Sequence, residues 1–145
     1  MSTPDSHAAA HAAALEELVL RFTEAFNRDD LDGVMALMAA DAVYDEFNGT
    51  RSRGTAAIRA AFVPQFRGDY GVIRFDPEDL FVAPAALGSA SAPSGKALIR
   101  WRCRLESPVM KREWRGLDVL HVERGLVTEK HTYAKAEVPR LTDPV

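Results

Sequence analysis

The stretch Trp114-Arg-Gly-Leu-Asp-Val-Leu-His-Val-Glu-Arg-Gly-Leu-Val127 decides the fold, because it contains a strand, a tight turn and the start of another strand. Side chains alternate between the two faces of a strand, so Trp114, Asp118 and Leu120 share one face. Glu123-Arg-Gly125 is typical of a tight hairpin turn. The stretch therefore predicts an antiparallel hairpin that carries a carboxylate among apolar side chains.

Outward from this hairpin, the second half of the chain shows mainly strand patterns. Apolar and charged residues alternate from Lys96 to Leu105, where Ile99, Trp101, Cys103 and Leu105 oppose three arginines. Two shorter strand patterns, Val72–Phe75 and Asp79–Val82, flank Pro77, and the last strand is predicted over Val127–Ala134.

The first half shows mainly helix patterns. Apolar residues at helical spacing predict a helix over residues 13–28, and Asp30 is a plausible N-cap for a short helix that ends near Met38. A strand over Ala42–Phe47 and a turn precede a third helix from Thr55. Helices followed by antiparallel strands indicate an α+β fold, in which three N-terminal helices pack on one face of a curved sheet. Residues 1–12 are expected to form a frayed extension, 13–136 the single domain and 137–145 a tail.

Composition excludes several classes of function. A net charge of −3 argues against nucleic acid as a partner, since phosphate binding needs a surplus of basic residues on one face. No segment is apolar enough to predict a membrane span, and the single Cys103 favours a reducing, cytoplasmic location. No glycine-rich phosphate loop is present, and no histidines beyond the N-terminal extension are at metal-ligand spacing, so neither a cofactor nor a metal site is predicted. His7 and His11, in the N-terminal extension, are the only pair at helical metal-ligand spacing.

Two acidic positions stand out because a core strand tolerates an ionisable group only when it is paired or neutral. In Asp41-Ala-Val-Tyr-Asp-Glu-Phe-Asn-Gly49, strict alternation places Tyr44 and Glu46 on one side and Asp45 on the other. Glu46 is either a general base at a pocket wall or an acid at a strand end that meets solvent or caps Arg51 and Arg53. Asp118 is either a pocket group that burial keeps neutral or a structural residue, which pairs with an arginine at position 100, 102 or 104 or forms a hydrogen bond that closes the core.

Several segments together resemble a known family. Phe22-Thr-Glu-Ala-Phe-Asn-Arg-Asp-Asp-Leu-Asp-Gly33, Leu37-Met-Ala-Ala-Asp-Ala-Val43, Gly54-Thr-Ala-Ala-Ile-Arg59 and the hairpin are similar to the ketosteroid isomerase and SnoaL-like polyketide cyclase group of the nuclear-transport-factor-2-like superfamily. The resemblance covers about residues 13–135. It implies a cone of three helices and a bent sheet around a deep pocket.

The resemblance also implies roles for individual residues. Glu46 matches the general base of the isomerases, and Asp118 matches the protonated acid that donates a hydrogen bond to the oxyanion. Phe22 stands where those enzymes have a tyrosine donor, so steroid isomerisation itself is not expected. The predicted lining suits a small, flat or lipophilic molecule and consists of Phe22, Phe26, Tyr44, Phe62, Phe66, Trp101, Trp114 and Thr132.

The facing of the last strand remains open at this stage. The family register turns Lys130, Thr132 and Ala134 inward, whereas amphipathicity favours Val127, Glu129, His131 and Tyr133. In the second arrangement Glu129 and His131 could form an acid–base pair.

Three functions remain possible. The first is a small cofactor-independent isomerase or cyclase in which Glu46 removes a proton alpha to a carbonyl and Asp118 binds the enolate. The second is a non-catalytic protein that binds small hydrophobic ligands, and the third is a scaffold with a filled cavity. Apolar residues on the outer sheet face, namely Leu117, Val119 and Tyr133, also suggest a homodimer.

Overall fold

Three helices and six strands follow one another in the computed structural model, which describes residues 4–136. The elements are α1 (Pro4–Asn27), α2 (Leu31–Ala36), β1 (Met38–Asp45), β2 (Arg51–Arg53), α3 (Thr55–Phe66), β3 (Val72–Pro84), β4 (Gly95–Ser107), β5 (Met110–Glu123) and β6 (Leu126–Lys135). The α+β class with N-terminal helices is confirmed. The predicted tail, 137–145, lies outside the described residues.

All six strands belong to one curved, open sheet in the order β2-β1-β6-β5-β4-β3. Neighbouring strands are antiparallel except β1 and β6, which run parallel. The parallel pair arises because the chain leaves β1 through β2 and α3 and re-enters the sheet at its far edge. The meander from β3 to β6 then returns to β1. An entirely antiparallel sheet was expected, so this pair is a correction.

The helices cover the inner face of the sheet, and α1 contributes the largest apolar stripe. Leu15, Leu18, Val19, Phe22 and Phe26 are all buried. Burial of such a stripe against the sheet is the main source of helix stability in proteins. No helix in the described part combines the length and the apolar composition that a bilayer span requires.

The start of α1 differs from expectation, because the helix begins at Pro4 and continues through the segment expected to be frayed. His11 explains part of this extension. The residue is 6% exposed, and its Nε2 accepts a hydrogen bond of 3.0 Å from the backbone N–H of Ser94. The loop between β3 and β4 therefore holds the N-terminal part of α1.

The end of α1 is joined to the sheet by Asn27. Its side-chain amide donates to the Phe75 carbonyl at 2.8 Å and accepts from the Phe75 N–H at 2.7 Å. Asp30 caps α2 as predicted, because its carboxylate accepts from the Gly33 N–H at 2.9 Å.

Several strand boundaries also differ from the sequence-based prediction. β1 begins at Met38, the short strand β2 lies within the predicted turn, and β3 is one strand with an irregularity between Pro77 and Asp79. Proline cannot donate to a sheet ladder, so it is found at edges and bulges. β3 is an edge strand, which is why Pro77 does not end it.

The hairpin between β5 and β6 turns at Arg124 and Gly125, whose φ angles are 50° and 79°. Positive φ at both central residues is the mark of a tight hairpin turn, and Gly125 adopts it without steric cost. A bulge then follows, because Val122 pairs with Val127 whereas His121 pairs with Glu129. The additional residue, Thr128, changes the alternation of β6.

That bulge decides the facing of the last strand. Val127 and Lys130 both lie on the buried face, although strict alternation would place them on opposite faces. Lys130, Thr132 and Ala134 lie opposite inward-facing residues of β5, so the family register is observed.

Candidate active site

A cavity of about 880 Å³ lies between α1, α3 and the inner face of the sheet. Its buried lining side chains form a floor that comprises Phe26, Tyr44, Phe62, Trp101, Cys103, Leu105 and Lys130. Its exposed apolar lining side chains form a rim that comprises Phe47, Tyr70, Val109 and Met110. A mostly apolar cavity with a few polar groups on its floor is the usual form of a small-molecule site.

Asp118 lies directly behind this floor and is 8% exposed. Its carboxylate accepts three hydrogen bonds: from Lys130 Nζ at 2.8 Å, from Thr132 Oγ1 at 2.5 Å and from Trp101 Nε1 at 3.2 Å. Three donors, one of them an ammonium, are the surroundings of an ionised carboxylate. The geometry therefore favours an ionised Asp118 over the neutral, hydrogen-bond-donating Asp118 that was expected, because an ammonium lies 2.8 Å from its carboxylate.

None of the arginines considered as partners of Asp118 reaches it. Arg100, Arg102 and Arg104 lie on the outer face of the sheet. Arg100 pairs there with Asp79, while Arg102 and Arg104 both pair with Asp76. The partner of Asp118 is Lys130 instead.

Lys130 is the polar centre of the cavity floor, with 5% of its surface exposed. Its ammonium donates to Asp118 and, at 2.6 Å, to the hydroxyl of Thr132. It also lies 4.8 Å from the ring centroid of Tyr44 and 5.5 Å from that of Phe26, within the range of cation–π attraction. An ammonium has three N–H groups, so one remains for a ligand in the cavity.

The charge of Lys130 is maintained by its neighbours. Burial by itself lowers the pKa of Lys130, but the attraction of Asp118, with Tyr44 and Glu46, outweighs burial and raises it above its usual value. The pKa of Tyr44 is also raised, in this case by burial itself, which keeps its phenol neutral. The cavity therefore contains a permanent cation beside a neutral phenol at neutral pH.

Trp101 is positioned by the absence of a side chain at Gly116, its cross-strand partner in β5. A Cβ at position 116 would lie 2.5 Å from the indole ring, closer than any real contact. The indole can therefore pack flat against β5, where its N–H reaches Asp118.

Glu46 follows β1 and lines the cavity. Its side chain forms no hydrogen bond or ion pair with the described residues, in contrast to Asp45. Asp45 points to the other side of the sheet, where Arg51 Nε donates to it at 2.7 Å. Arg51 thus pairs with Asp45 and not with Glu46. The carboxylate of Glu46 therefore stays available to a ligand in the cavity.

The predicted lining residues divide into two groups. Those that line the cavity are Phe26, Tyr44, Phe62, Trp101, Trp114 and Thr132. Phe22 instead lies in the core, where its ring meets that of Phe26 edge-on at 5.3 Å. Phe66 is half-buried and packs against the core, with its ring centroid 5.4 Å from that of Phe26. Aromatic residues of the helices were predicted as lining, but helical spacing cannot separate the residues around a cavity from those behind it.

Cys103 also lines the cavity and is 1% exposed. Burial raises its pKa to about 12, which exceeds the opposing effect of Arg104. It is therefore a neutral thiol at physiological pH rather than a nucleophilic thiolate.

The family of the chain follows from a match to the SnoaL-like domain profile over residues 19–130. The chain belongs to the SnoaL-like family. The match includes both strands of the β5–β6 hairpin as far as Lys130, together with Glu46 and Asp118. No functionally curated protein matches this SnoaL-like chain in sequence.

Solved structures share the fold of this SnoaL-like protein at low sequence identity. Bal32a, from a soil-derived mobile gene cassette, superimposes with a TM-score of 0.68 at 18% identity, over 86% of this chain and 92% of Bal32a. A provisionally named polyketide cyclase from Xanthomonas campestris pv. campestris gives 0.63 at 22% identity, over 85% and 91% of the two chains. A provisionally named ketosteroid isomerase from Kribbella flavida gives 0.64 at 19% identity, over 92% and 84%. These likenesses establish the fold alone.

Lys130 is the SnoaL-like site residue to which the sequence analysis gave no role. A lysine in a predicted strand is usually solvent-exposed, and amphipathicity placed it on the outer face. The only signal for its position was the family register of the last strand, which turned it inward beside Thr132.

Proposed function

We propose that this chain is a cofactor-independent enzyme of the isomerase or cyclase type that acts on a hydrophobic carbonyl compound by acid–base chemistry. The observation that carries the proposal is the pair of groups in one apolar cavity. They are the ammonium of Lys130, with one N–H to spare, and the carboxylate of Glu46, which has no partner among residues 4–136. Such a pair can remove a proton and stabilise the resulting negative charge.

In the proposed reaction, the substrate carbonyl oxygen lies against the free N–H of Lys130. Glu46 takes a proton from the carbon alpha to the carbonyl, and the electron pair of that C–H bond forms the enolate. The enolate oxygen carries the new charge and is stabilised by the ammonium and by the neighbouring phenol of Tyr44. Return of the proton from Glu46 to a different carbon completes an isomerisation. Attack of the enolate carbon on a second carbonyl, followed by protonation of the new alkoxide, completes a cyclisation.

Asp118 acts as a positioning residue in this mechanism. It does not touch the cavity but holds Lys130, Thr132 and Trp101 through three hydrogen bonds. Its negative charge also keeps the buried lysine protonated. In this mechanism Lys130 donates the hydrogen bond to the oxyanion, a role that the resemblance had assigned to Asp118.

Binding without turnover is the second candidate, and the same ammonium favours it. A lipophilic carboxylate would lie in the apolar cavity with its charged end at Lys130, and no chemistry would follow. The volume of about 880 Å³ counts against the third candidate, a scaffold whose interior is filled by its own side chains.

We include a homodimer in the proposal, formed by a second copy packed over Leu117, Val119 and the exposed Tyr133. Light scattering of the purified chain would test it.

The test is a panel of β,γ-unsaturated cyclic ketones, with isomerisation followed by the absorbance of the conjugated enone. Loss of the base in Glu46→Gln should lower kcat by about 10²–10⁴-fold. Loss of the cation in Lys130→Met should lower it by about 10²–10³-fold. The matched controls are Glu123→Gln and Lys111→Met, which change exposed residues and should leave kcat unchanged. Tight binding of panel members without turnover by the folded wild type would favour the binding protein and contradict the enzyme.

A further inference from the structure

A second group of ionisable side chains lies on the opposite, outer face of the sheet. His121 of β5 is the cross-strand partner of Glu129 of β6, and His131 is two residues beyond Glu129 on the same face. His121 Nδ1 lies 2.7 Å from Glu129 Oε2, and His131 Nε2 lies 3.1 Å from Glu129 Oε1. The β5–β6 hairpin thus brings together two histidines that are ten positions apart in sequence.

His131 lies against two carboxylates, and a neutral imidazole can donate a hydrogen bond to only one of them. Its Nδ1 lies 2.6 Å from Asp45 Oδ2, and its Nε2 faces Glu129. The guanidinium of Arg51 donates two hydrogen bonds to the carboxylate of Asp45, which is the arrangement of an ionised acceptor. A neutral imidazole has a single N–H. If that N–H donates to Asp45, the lone pair of Nε2 faces a carboxylate oxygen, and a cation between them would resolve the repulsion.

The geometry suits a divalent transition-metal ion. Ligand atoms 2.0–2.1 Å from a tetrahedral Zn²⁺ lie roughly 3.3 Å apart. One ligand atom from each of His121, Glu129 and His131 lies within 4.8 Å of the other two. The two shortest separations, 2.7 and 3.1 Å, need to widen only slightly. In the single chain the three side chains are 19–38% exposed, so rotamer adjustment is possible and an ion can enter. The same face carries Leu117, Val119 and Tyr133, over which the proposed second copy would pack, so the ion would enter before the homodimer forms.

Asp45 occupies the position of an outer partner to the metal ligand. Histidine ligands almost always donate their other ring N–H to a carboxylate, which fixes the tautomer and the direction of the free lone pair. Asp45 Oδ2 beside His131 Nδ1 is this arrangement, and Arg51 holds Asp45 in place.

We propose that His121, Glu129 and His131 bind a divalent first-row transition-metal ion of the Zn²⁺ type, with Asp45 orienting His131. Two imidazoles and one carboxylate supply three ligands, which leaves a fourth tetrahedral position for water or another ligand. The site lies on the face of the sheet opposite the cavity and does not depend on the proposed enzymatic reaction. The sequence analysis predicted no metal ligands because the spacing of the histidines gave no motif.

The experiment measures Co²⁺ and Zn²⁺ binding to the full chain after removal of any purification tag. Co²⁺ reports its own coordination by visible absorption, and Zn²⁺ is measured by calorimetry and by displacement of Co²⁺. We expect one ion per chain and a tetrahedral Co²⁺ spectrum. Binding should be abolished in His121→Ala, His131→Ala and Glu129→Gln. Asp45→Asn should weaken it by about 10–100-fold, as loss of an outer partner does.

His7→Ala is the matched control, because His7 is an exposed histidine of α1 and should not affect binding. Circular dichroism confirms that each variant is folded, and Glu129→Gln preserves the shape of the side chain. The proposal is overturned if the folded wild type binds neither ion. It is also overturned if binding survives in both His121→Ala and His131→Ala, whether or not His7→Ala removes it.

Discussion

Lys130 Nζ lies 2.8 Å from Asp118 Oδ1 in the interior of the protein, where 7% and 11% of the two side chains are exposed. Removing two charges from water costs several kcal/mol per ion, and their attraction offsets this only with good geometry and further hydrogen bonds. Thr132 and Trp101 supply those bonds. The pair is therefore costly to build and is placed at the floor of the cavity, which is where a function would require it.

Breaking this pair should destabilise the protein more than removing both of its members. Asp118→Leu leaves a buried ammonium without its counterion and should lower the free energy of unfolding by about 3–5 kcal/mol. The double variant Asp118→Leu/Lys130→Met should lose less. Urea denaturation of the complete mutant cycle gives the coupling. Asp79→Asn, which breaks the exposed pair with Arg100, is the control and should cost about 0–1 kcal/mol. Equal losses for Asp118→Leu and Asp79→Asn would show that the buried pair is not coupled.

The contribution of Lys130 to stability should disappear at alkaline pH. Its pKa in the folded state is raised above the ordinary 10.5, so the folded protein holds this proton more tightly than the unfolded chain does. The stabilisation is fully present below pH 10.5 and is lost as the pH rises through the folded value. The free energy of unfolding of the wild type should therefore fall relative to Lys130→Met above pH 10.5. A constant difference between the two proteins across this range would contradict the raised pKa.

His11 should matter for stability although it lies in the segment expected to be frayed. His11→Ala leaves the backbone N–H of Ser94 without its acceptor, which should lower the free energy of unfolding by about 1–3 kcal/mol. His7→Ala, one turn earlier and exposed, should have no measurable effect. Thermal or urea denaturation distinguishes them. Identical stability of the two variants would mean that α1 is not held by this loop.

Filling the cavity should block ligands without disturbing the surface. Ala61 lines the cavity, while the adjacent Ala60 is exposed on the same helix. Ala61→Phe should weaken binding of the lipophilic anion anilinonaphthalene sulfonate by about tenfold or more, equivalent to ~1.4 kcal/mol. Ala60→Phe should leave it unchanged. Dye fluorescence measures both, and a similar effect of the two substitutions would place the dye outside the cavity.

The fold was accessible from the sequence where local patterns and tertiary packing agree. The alternation in β4 and β5, the turn at Arg124–Gly125 and the cap at Asp30 each predict their own element. The start of α1 did not follow from its own residues, because it depends on a contact between His11 and Ser94, 83 positions later. Local composition contains no information about such a contact.

The candidate site was accessible only in part, and the bulge at Thr128 is the main reason. Strict alternation in β6 predicts Lys130 and Val127 on opposite faces, whereas the additional residue places both inside. The acids at 46 and 118 could be found because a carboxylate in a core strand requires an explanation. The identity of the partner of Asp118 required the cross-strand register, which one sequence does not contain.

Exchange of alpha protons in deuterated water tests the central claim most directly, because it detects proton removal even when the natural product is unknown. A panel of hydrophobic ketones would be incubated with the wild type, Glu46→Gln and the control Glu123→Gln and followed by proton NMR. We predict deuterium incorporation in at least one ketone with the wild type and the control, and a loss of about 10²-fold or more in Glu46→Gln. No exchange above the uncatalysed rate, or equal exchange in all three proteins, would contradict an acid–base site at Glu46 and Lys130.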